Sequence, residues 1–167
     1  LAMAQPMIVH YGDDWGKMNA RILAKLQKVF QTEHEMYIIP GSASAAMEAS
    51  VNSVIEDDTE ILVELSGTFG LRFAEIARYS GAKVVPLTVE FGKAVDPEAV
   101  RKALKANPKI KAMTLVHNES STAVMNPAKE IAQVCHEFGV MLICDAVSSM
   151  GGVDIRTDEW TLDYCLT

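Results

Sequence analysis

The chain has 167 residues, of which 49% are hydrophobic and 22% charged, and its formal net charge is −7. This length suits a single α/β domain with a substantial core. The acidic balance argues against nonspecific nucleic-acid binding, which depends on clustered Lys and Arg, and no apolar run approaches the roughly 20 residues of a membrane span.

Three cysteines, Cys135, Cys144 and Cys165, form neither an even set nor a C-x-x-C pair, so we expect reduced thiols in the core. Residues 1–20 lack the basic region and apolar core of a secretory signal. We therefore expect a cytoplasmic protein. The chain starts at Leu1 and stops directly after a strand-like run, so we also expect it to be a piece of a longer protein.

The predicted elements alternate along the chain. Apolar residues at three- and four-residue steps predict a first helix over 14–32, and Asp96-Pro97 and Asn126-Pro127 predict two further helix starts. Gly81 and Gly139 predict helix ends. The predicted helices cover 14–32, a segment opened by 41–44, 69–79, a segment from 97, and 128–138. The predicted strands cover 36–39, 61–65, 83–87, 112–116, 140–144 and 162–166.

Six short apolar runs separated by helices predict an α/β fold with three layers, in which a mostly parallel sheet carries helices on both faces. Ligands of such sheets bind beyond the carboxyl ends of the strands. Four segments supply polar or aromatic residues at that edge: 41–44, 66–70, 117–122 and 145–149.

Asp145 follows the most apolar strand, and a buried carboxylate usually meets a cation, which need not belong to the protein. The serines of 41–44 suit either a phosphate at a helix N-terminus or simple N-capping. Phe69 suits either stacking on a flat ligand or core packing. Residues 117–122 suit either ligand binding or a turn.

A dinucleotide site is disfavoured because G-x-G-x-x-G is absent. No metal site is expected, because the four histidines show no ligand spacing.

In order along the chain, these segments are Gly-Ser with Ala-Ala-Met-Glu-Ala, Gly-Thr-Phe-Gly-Leu-Arg, His-Asn-Glu-Ser-Ser-Thr and Asp-Ala-Val-Ser-Ser-Met-Gly-Gly. Together they resemble the class V pyridoxal-phosphate (PLP) aminotransferases, in particular the alanine–glyoxylate and serine–pyruvate branch. The resemblance spans essentially the whole chain. It implies the large domain of the fold-type-I PLP transferases, with pyridoxal 5′-phosphate as cofactor.

The resemblance also implies site residues. Ser42, Ala43 and Ser44 fall where relatives hold the cofactor phosphate. Four further positions match ring contacts: Phe69 for stacking, Ser120 near the phenolic oxygen, Asp145 at the pyridine nitrogen and Val147 on the opposite face. Asp145 is thereby implied to be catalytic. The implied activity moves an amino group from alanine or serine to glyoxylate or pyruvate, and the implied assembly is a homodimer.

The chain departs from the family in several places. Ala43 and Ala123 stand where relatives commonly have Gly. The Schiff-base lysine would fall about four residues past Thr167, a spacing carried over by resemblance, and its role follows the usual chemistry of such lysines. An N-terminal segment and the small C-terminal domain are also missing. We therefore expect residues 1–167 to be a partial, inactive large domain.

Two alternatives stay open. One is a sibling enzyme such as a cysteine desulfurase or another lyase, although Phe69 stands where those relatives usually have His. The other is a non-catalytic α/β binding module, since one fold hosts many functions.

Overall fold

The computed structural model describes residues 2–167, which form five α-helices and seven strands. The helices are α1 (Asp13–Phe30), α2 (Ala43–Val54), α3 (Thr68–Tyr79), α4 (Pro97–Ala106) and α5 (Ala128–Glu137), with a short 3₁₀ turn at Ala2–Ala4. The strands are β1 (Glu60–Leu65), β2 (Lys83–Thr88), β3 (Ile110–Val116), β4 (Asn118–Glu119), β5 (Val124–Met125), β6 (Met141–Asp145) and β7 (Tyr164–Leu166).

Five strands form one sheet in the order β2-β1-β3-β6-β7, and every neighbouring pair is parallel. The carboxyl ends of these strands therefore lie at one edge. β3 and β6 are in register up to Val116 and Asp145. Directly after β3, the chain forms the antiparallel β4–β5 hairpin.

Apolar side chains pack on both faces of the sheet. On one face Leu62 and Met113 join side chains from α4 and α5, such as Leu104 and Ile131. On the other face Ile61 packs with residues of α2 and α3. Adjacent strand residues thus enter opposite layers, which confirms the predicted three-layer fold. None of the helices within residues 2–167 combines the length and apolarity that crossing a bilayer would require.

Several predicted helix ends are confirmed. The Asp96 side chain accepts a hydrogen bond from the Glu98 N–H at 2.9 Å, with Pro97 in the first helical position. Gly81 and Gly139 follow α3 and α5 with positive φ angles of 95° and 67°. Their left-handed backbone ends these helices. α1 stops two residues before the predicted end, because Gln31 is left-handed.

Two predictions from the sequence are wrong. Residues 36–39 form no strand in the described structure; they are extended, and Tyr37, Ile38 and Ile39 are exposed. The residues have β-propensity, but no neighbouring strand of the described structure lies beside them to pair with their backbone. Asn126 does not cap α5. Its amide is buried, donating to the Val116 carbonyl at 2.7 Å and accepting from the Val95 N–H at 2.8 Å.

Candidate functional site

A pocket of about 230 Å³ lies at the carboxyl edge of the sheet. Its volume is just below the range of about 300–1,000 Å³ typical of drug-sized ligands, which suits a ligand built on one ring. All seven residues predicted to contact a cofactor line it: Ser42, Ala43, Ser44, Phe69, Ser120, Asp145 and Val147. The other lining residues are Met47, Val116, Asn118 and Ser148.

Asp145 ends β6 and is 3% exposed. Its Oδ1 accepts a hydrogen bond from the Val147 N–H at 2.9 Å. Burial raises the pKa of this carboxyl group, the Val147 N–H opposes the change, and the charge of Glu119 adds to it. No cationic side chain in residues 2–167 forms an ion pair with Asp145. A cationic ligand would therefore stabilise its charged form.

The N-terminus of α2 enters the same pocket. Ser42 is its N-cap, but the Ser42 hydroxyl makes no capping hydrogen bond, so simple side-chain capping is not what this serine does. Ala45 N–H bonds to the Ser42 carbonyl at 2.8 Å, whereas the N–H groups of Ala43 and Ser44 find no acceptor among the described residues. Such free N–H groups and the helix dipole favour an anion.

Arg72 of α3 lies close to this helix end. Its Nη1 donates to the Ser44 Oγ at 3.1 Å. The guanidinium therefore adds positive charge beside the two free N–H groups. No local sequence pattern indicates a role for Arg72, because it lies 28 positions from Ser44 along the chain.

Phe69 is the second residue of α3. It is partly buried against the apolar layer that contains α2 and α3, and it also lines the pocket. The ring therefore packs partly in the core and also borders the cavity, while its stacking on a ligand stays a prediction.

The segment after β3 divides its side chains between the pocket and the interior. Ser120 lines the pocket, and its hydroxyl hydrogen-bonds the hydroxyl of Ser148. The resemblance to the family assigned no role to Ser148. His117 is buried, its Nδ1 lies 2.9 Å from the Ser149 Oγ, and its ring packs edge-to-face on Trp160. Burial lowers the pKa of His117. This histidine is therefore an interior residue.

Metal ligation finds no support within residues 2–167, because no group of three or more His, Cys, Asp or Glu side chains is placed to hold an ion. Two more pocket residues, Met47 and Val116, could have been found only from tertiary structure. Both belong to regular apolar patterns of their helix and strand, which predict core positions.

Comparison with known proteins identifies the family. An aminotransferase class-V family model matches residues 3–166. An uncharacterized aminotransferase of Methanocaldococcus jannaschii is 39% identical over 99% of this chain and 43% of that protein. The (S)-ureidoglycine–glyoxylate transaminase of Bacillus subtilis is 36% identical over 98% of this chain and 39% of its own length.

A solved structure agrees with these matches. The crystal structure of an alanine–glyoxylate aminotransferase from a Nostoc species has a TM-score of 0.93 and 32% identity, covering 98% of this chain and 44% of that one. The chain thus spans about two fifths of the length of these relatives. From the family match and the shared fold we conclude that the chain belongs to the class-V aminotransferases, a family of PLP-dependent enzymes.

Proposed function

We propose that residues 1–167 form the cofactor-binding part of the large domain of a PLP-dependent aminotransferase. The intact enzyme moves an amino group from a small amino acid, alanine or serine, to a 2-oxo acid, glyoxylate or pyruvate. The observation that carries this proposal is the buried Asp145 carboxylate, which has no cationic partner among the described residues and faces a ring-sized pocket. Glyoxylate is favoured as acceptor because it stands in the names of several similar enzymes, including those of Bacillus subtilis and Nostoc described above.

The residues of the pocket fit the cofactor. The free N–H groups of Ala43 and Ser44, together with the hydroxyls of Ser42 and Ser44, would hold the phosphate. Arg72 would balance part of the phosphate charge. These groups offer an anion both hydrogen bonds and positive potential at one end of the pocket.

The other pocket residues would hold the ring. Phe69 would stack on one face and Val147 would contact the other, while Ser120 would donate to the phenolic oxygen. Asp145 would accept a hydrogen bond from the ring nitrogen and keep a proton on that atom, because its burial strengthens the attraction between carboxylate and cation. When bound, PLP supplies an electron-withdrawing ring that stabilises negative charge on the substrate α-carbon.

The catalytic lysine is proposed to come from chain beyond residue 167, as is the arginine that grips the substrate carboxylate. None of the lysines in the described residues lines the pocket. Residues 1–167 alone are therefore proposed to be inactive in transamination.

The intact enzyme is proposed to be a cytoplasmic homodimer. Three unpaired cysteines support a reducing compartment. Exposed apolar side chains in the first residues, including Met7, Ile8 and Val9, support a surface covered by a second subunit. A two-fold dimer would bury the same patch on both subunits.

Transamination is preferred over cysteine desulfuration because the three cysteines among the described residues suit nucleophilic attack poorly. Cys135 and Cys144 are buried. Burial raises the pKa of Cys135 to about 12 and that of Cys165 to about 11. A thiol needs a lowered pKa to act as a nucleophile at neutral pH. A non-catalytic binding module would not explain why the buried Asp145 has no cationic partner among the described residues.

The test uses the full-length gene product. We expect it to purify with a visible absorbance band of bound PLP, and borohydride reduction followed by peptide mapping should label a lysine shortly after residue 167. With alanine and glyoxylate it should form pyruvate and glycine. If the purified full-length protein binds no PLP, the proposal is overturned. If it binds PLP but transfers no amino group to any 2-oxo acid, the desulfurase or lyase alternative remains.

A further inference from the structure

We propose that Glu119 is a positioning residue, which fixes the first turn of α3 and thereby the Phe69 ring at the pocket. The part of this inference that concerns the ligand rests on the proposed PLP site. The part that concerns α3 does not depend on it.

Glu119 is fully buried, and both of its carboxylate oxygens accept hydrogen bonds. Oε2 accepts from the Phe69 N–H at 2.9 Å and from the Gly70 N–H at 3.3 Å. Oε1 accepts from the Ser121 N–H at 3.0 Å and the Ser121 hydroxyl at 2.7 Å. Hydrogen bonds to a charged acceptor are about twice as strong as neutral ones, so this cluster is a rigid connection.

The connection completes the N-terminus of α3. Its N-cap, Gly67, has no side chain that could serve the first turn. The Thr68 N–H donates instead to the Ser121 Oγ at 2.9 Å. Together with Glu119, this hydroxyl provides acceptors for the first three N–H groups of the helix, while the Leu71 N–H bonds to the Gly67 carbonyl at 3.1 Å. Residues distant in sequence therefore do what a local cap usually does.

The approach of the two segments is close. A Cβ atom added to Gly67 would overlap the Glu119 side chain and lie 2.6 Å from the Ser121 Oγ. Only glycine at position 67 allows the two segments to approach this closely.

Glu119 also links this turn to Asp145. It follows β3 by three residues, and the intervening His117 N–H donates to the Asp145 carbonyl at 2.8 Å. Glu119 is therefore hydrogen-bonded to Phe69 on one side, and its own segment is hydrogen-bonded to Asp145 through His117 on the other. The α2 end of the pocket is different, because its free N–H groups are left for a ligand. The first N–H groups of α3 are therefore used to hold the helix in place, whereas those of α2 are available to a ligand.

The test compares Glu119→Gln with Glu64→Gln in the full-length protein. Glutamine can accept only through one atom, so one set of donors loses its acceptor. Glu64 is the matched control, since it is also fully buried and accepts from two backbone N–H groups, those of Ser66 and Val116. Its carboxylate lies close to Gly70 but accepts no hydrogen bond from the N–H of Phe69 or Gly70. Ser121→Ala is a milder second variant at an exposed position, for use if Glu119→Gln does not fold.

Two readouts separate the parts of the inference. In the protein without PLP, hydrogen–deuterium exchange of peptides covering Phe69 and Gly70 should become about tenfold faster or more in Glu119→Gln, and less than twofold faster in Glu64→Gln. With PLP added, the visible circular dichroism of the bound ring should fall by half or more in Glu119→Gln and stay unchanged in Glu64→Gln. Phe69→Leu should change the dichroism without the faster exchange.

Unchanged exchange at Phe69 and Gly70 in both Glu119→Gln and Ser121→Ala would overturn the positioning role. Faster exchange with unchanged dichroism would overturn its effect on the ring. If the wild-type protein bound no PLP, the proposed function would fail, while the exchange result would still decide whether Glu119 fixes α3.

Discussion

Asp145 differs from the two other buried acids at the same edge of the sheet in how far the protein satisfies its charge. Glu119 accepts four hydrogen bonds and Glu64 accepts two from the backbone. Asp145 accepts one, from the Val147 N–H. A buried carboxylate with so few partners is costly unless another group approaches it, and the pocket beside it provides the place.

The first prediction concerns this charge. Asp145→Asn keeps the shape of the side chain but cannot hold a proton on the ring nitrogen, so transamination by the full-length enzyme should fall by orders of magnitude. Steady-state kinetics with alanine and glyoxylate measure the loss. Asp145→Glu keeps the charge and serves as the control, with a smaller loss expected. Unchanged turnover in Asp145→Asn would contradict the role.

A second prediction separates Ala43 from Ala123, the two alanines that stand where relatives commonly have glycine. Ala123 is left-handed, with φ of 54°, whereas Ala43 is the first residue of α2. Left-handed backbone costs a residue with a Cβ about 1–2 kcal/mol, and part of this is offset by the freedom glycine gains in the unfolded chain.

Ala123→Gly should therefore raise the free energy of unfolding by about 0.5–1 kcal/mol. Ala43→Gly should lower it by up to about 1 kcal/mol, because glycine weakens a helix. Urea unfolding monitored by circular dichroism measures both. Equal effects of the two substitutions would show that the left-handed backbone carries no strain.

At the level of elements, the sequence correctly predicts the strands whose apolar residues are buried on both faces of the sheet. The strands before Ser66, His117 and Ala146 are apolar because both faces of the sheet are covered, and a short run of Val, Ile and Leu is typical of that environment. Residues 36–39, Met-Tyr-Ile-Ile, are also hydrophobic but have no neighbouring strand in the described structure. Composition reports β-propensity, whereas pairing depends on where the rest of the chain lies.

The site could be predicted as far as it follows strand ends and helix starts. Ser42, Phe69, Ser120 and Asp145 all occupy such positions, and the structure brings them to one pocket. Arg72 reaches Ser44, a pocket residue, through a long side chain from the second turn of α3, so this contact depends on how two helices pack. Asn126 shows the opposite failure: its side chain leaves the expected local cap for a buried backbone contact.

A third prediction compares two helix starts. The Asp96 side chain caps α4, while the Ser42 hydroxyl makes no capping hydrogen bond in α2. Asp96→Ala should therefore lower the free energy of unfolding by about 1 kcal/mol. Ser42→Ala should change it by less than about 0.5 kcal/mol, as surface substitutions usually do, but should weaken PLP binding.

Urea midpoints without PLP and equilibrium titration with PLP measure the two effects. A stability loss as large in Ser42→Ala as in Asp96→Ala would show that Ser42 is a structural cap. It would remove the assignment of its hydroxyl to the phosphate.

For the molecule as a whole, buried acidic side chains collect at the edge of the sheet that carries the pocket. Glu64, Glu119 and Asp145 come from three different strands and are each 3% exposed or less. The charge of Glu119 raises the pKa of both Glu64 and Asp145. Buried carboxyl groups whose pKa is shifted by folding make stability depend on pH.

The fourth prediction follows from Glu64. Burial raises its pKa from 4.5 to about 7, although the N–H groups of Ser66 and Val116 oppose this change. Between these two pH values the folded chain binds more protons at Glu64 than the unfolded chain, so stability falls as pH rises. Below pH 4.5 both states are protonated and the penalty vanishes, while above about pH 7 it is complete.

We therefore expect the free energy of unfolding of the wild type, minus that of Glu64→Gln, to fall by roughly 3 kcal/mol between pH 4.5 and pH 8. Urea unfolding of both proteins at several pH values measures this difference. Groups whose pKa is the same in both proteins cancel in this difference, and His117 is one of them. Burial lowers the pKa of His117, so the unfolded chain binds more protons there and this group alone makes stability rise with pH. If the difference in unfolding free energy stays constant across this range, Glu64 keeps its charge in the folded protein. The hydrogen bonds from the N–H groups of Ser66 and Val116 would then be enough to stabilise the buried carboxylate.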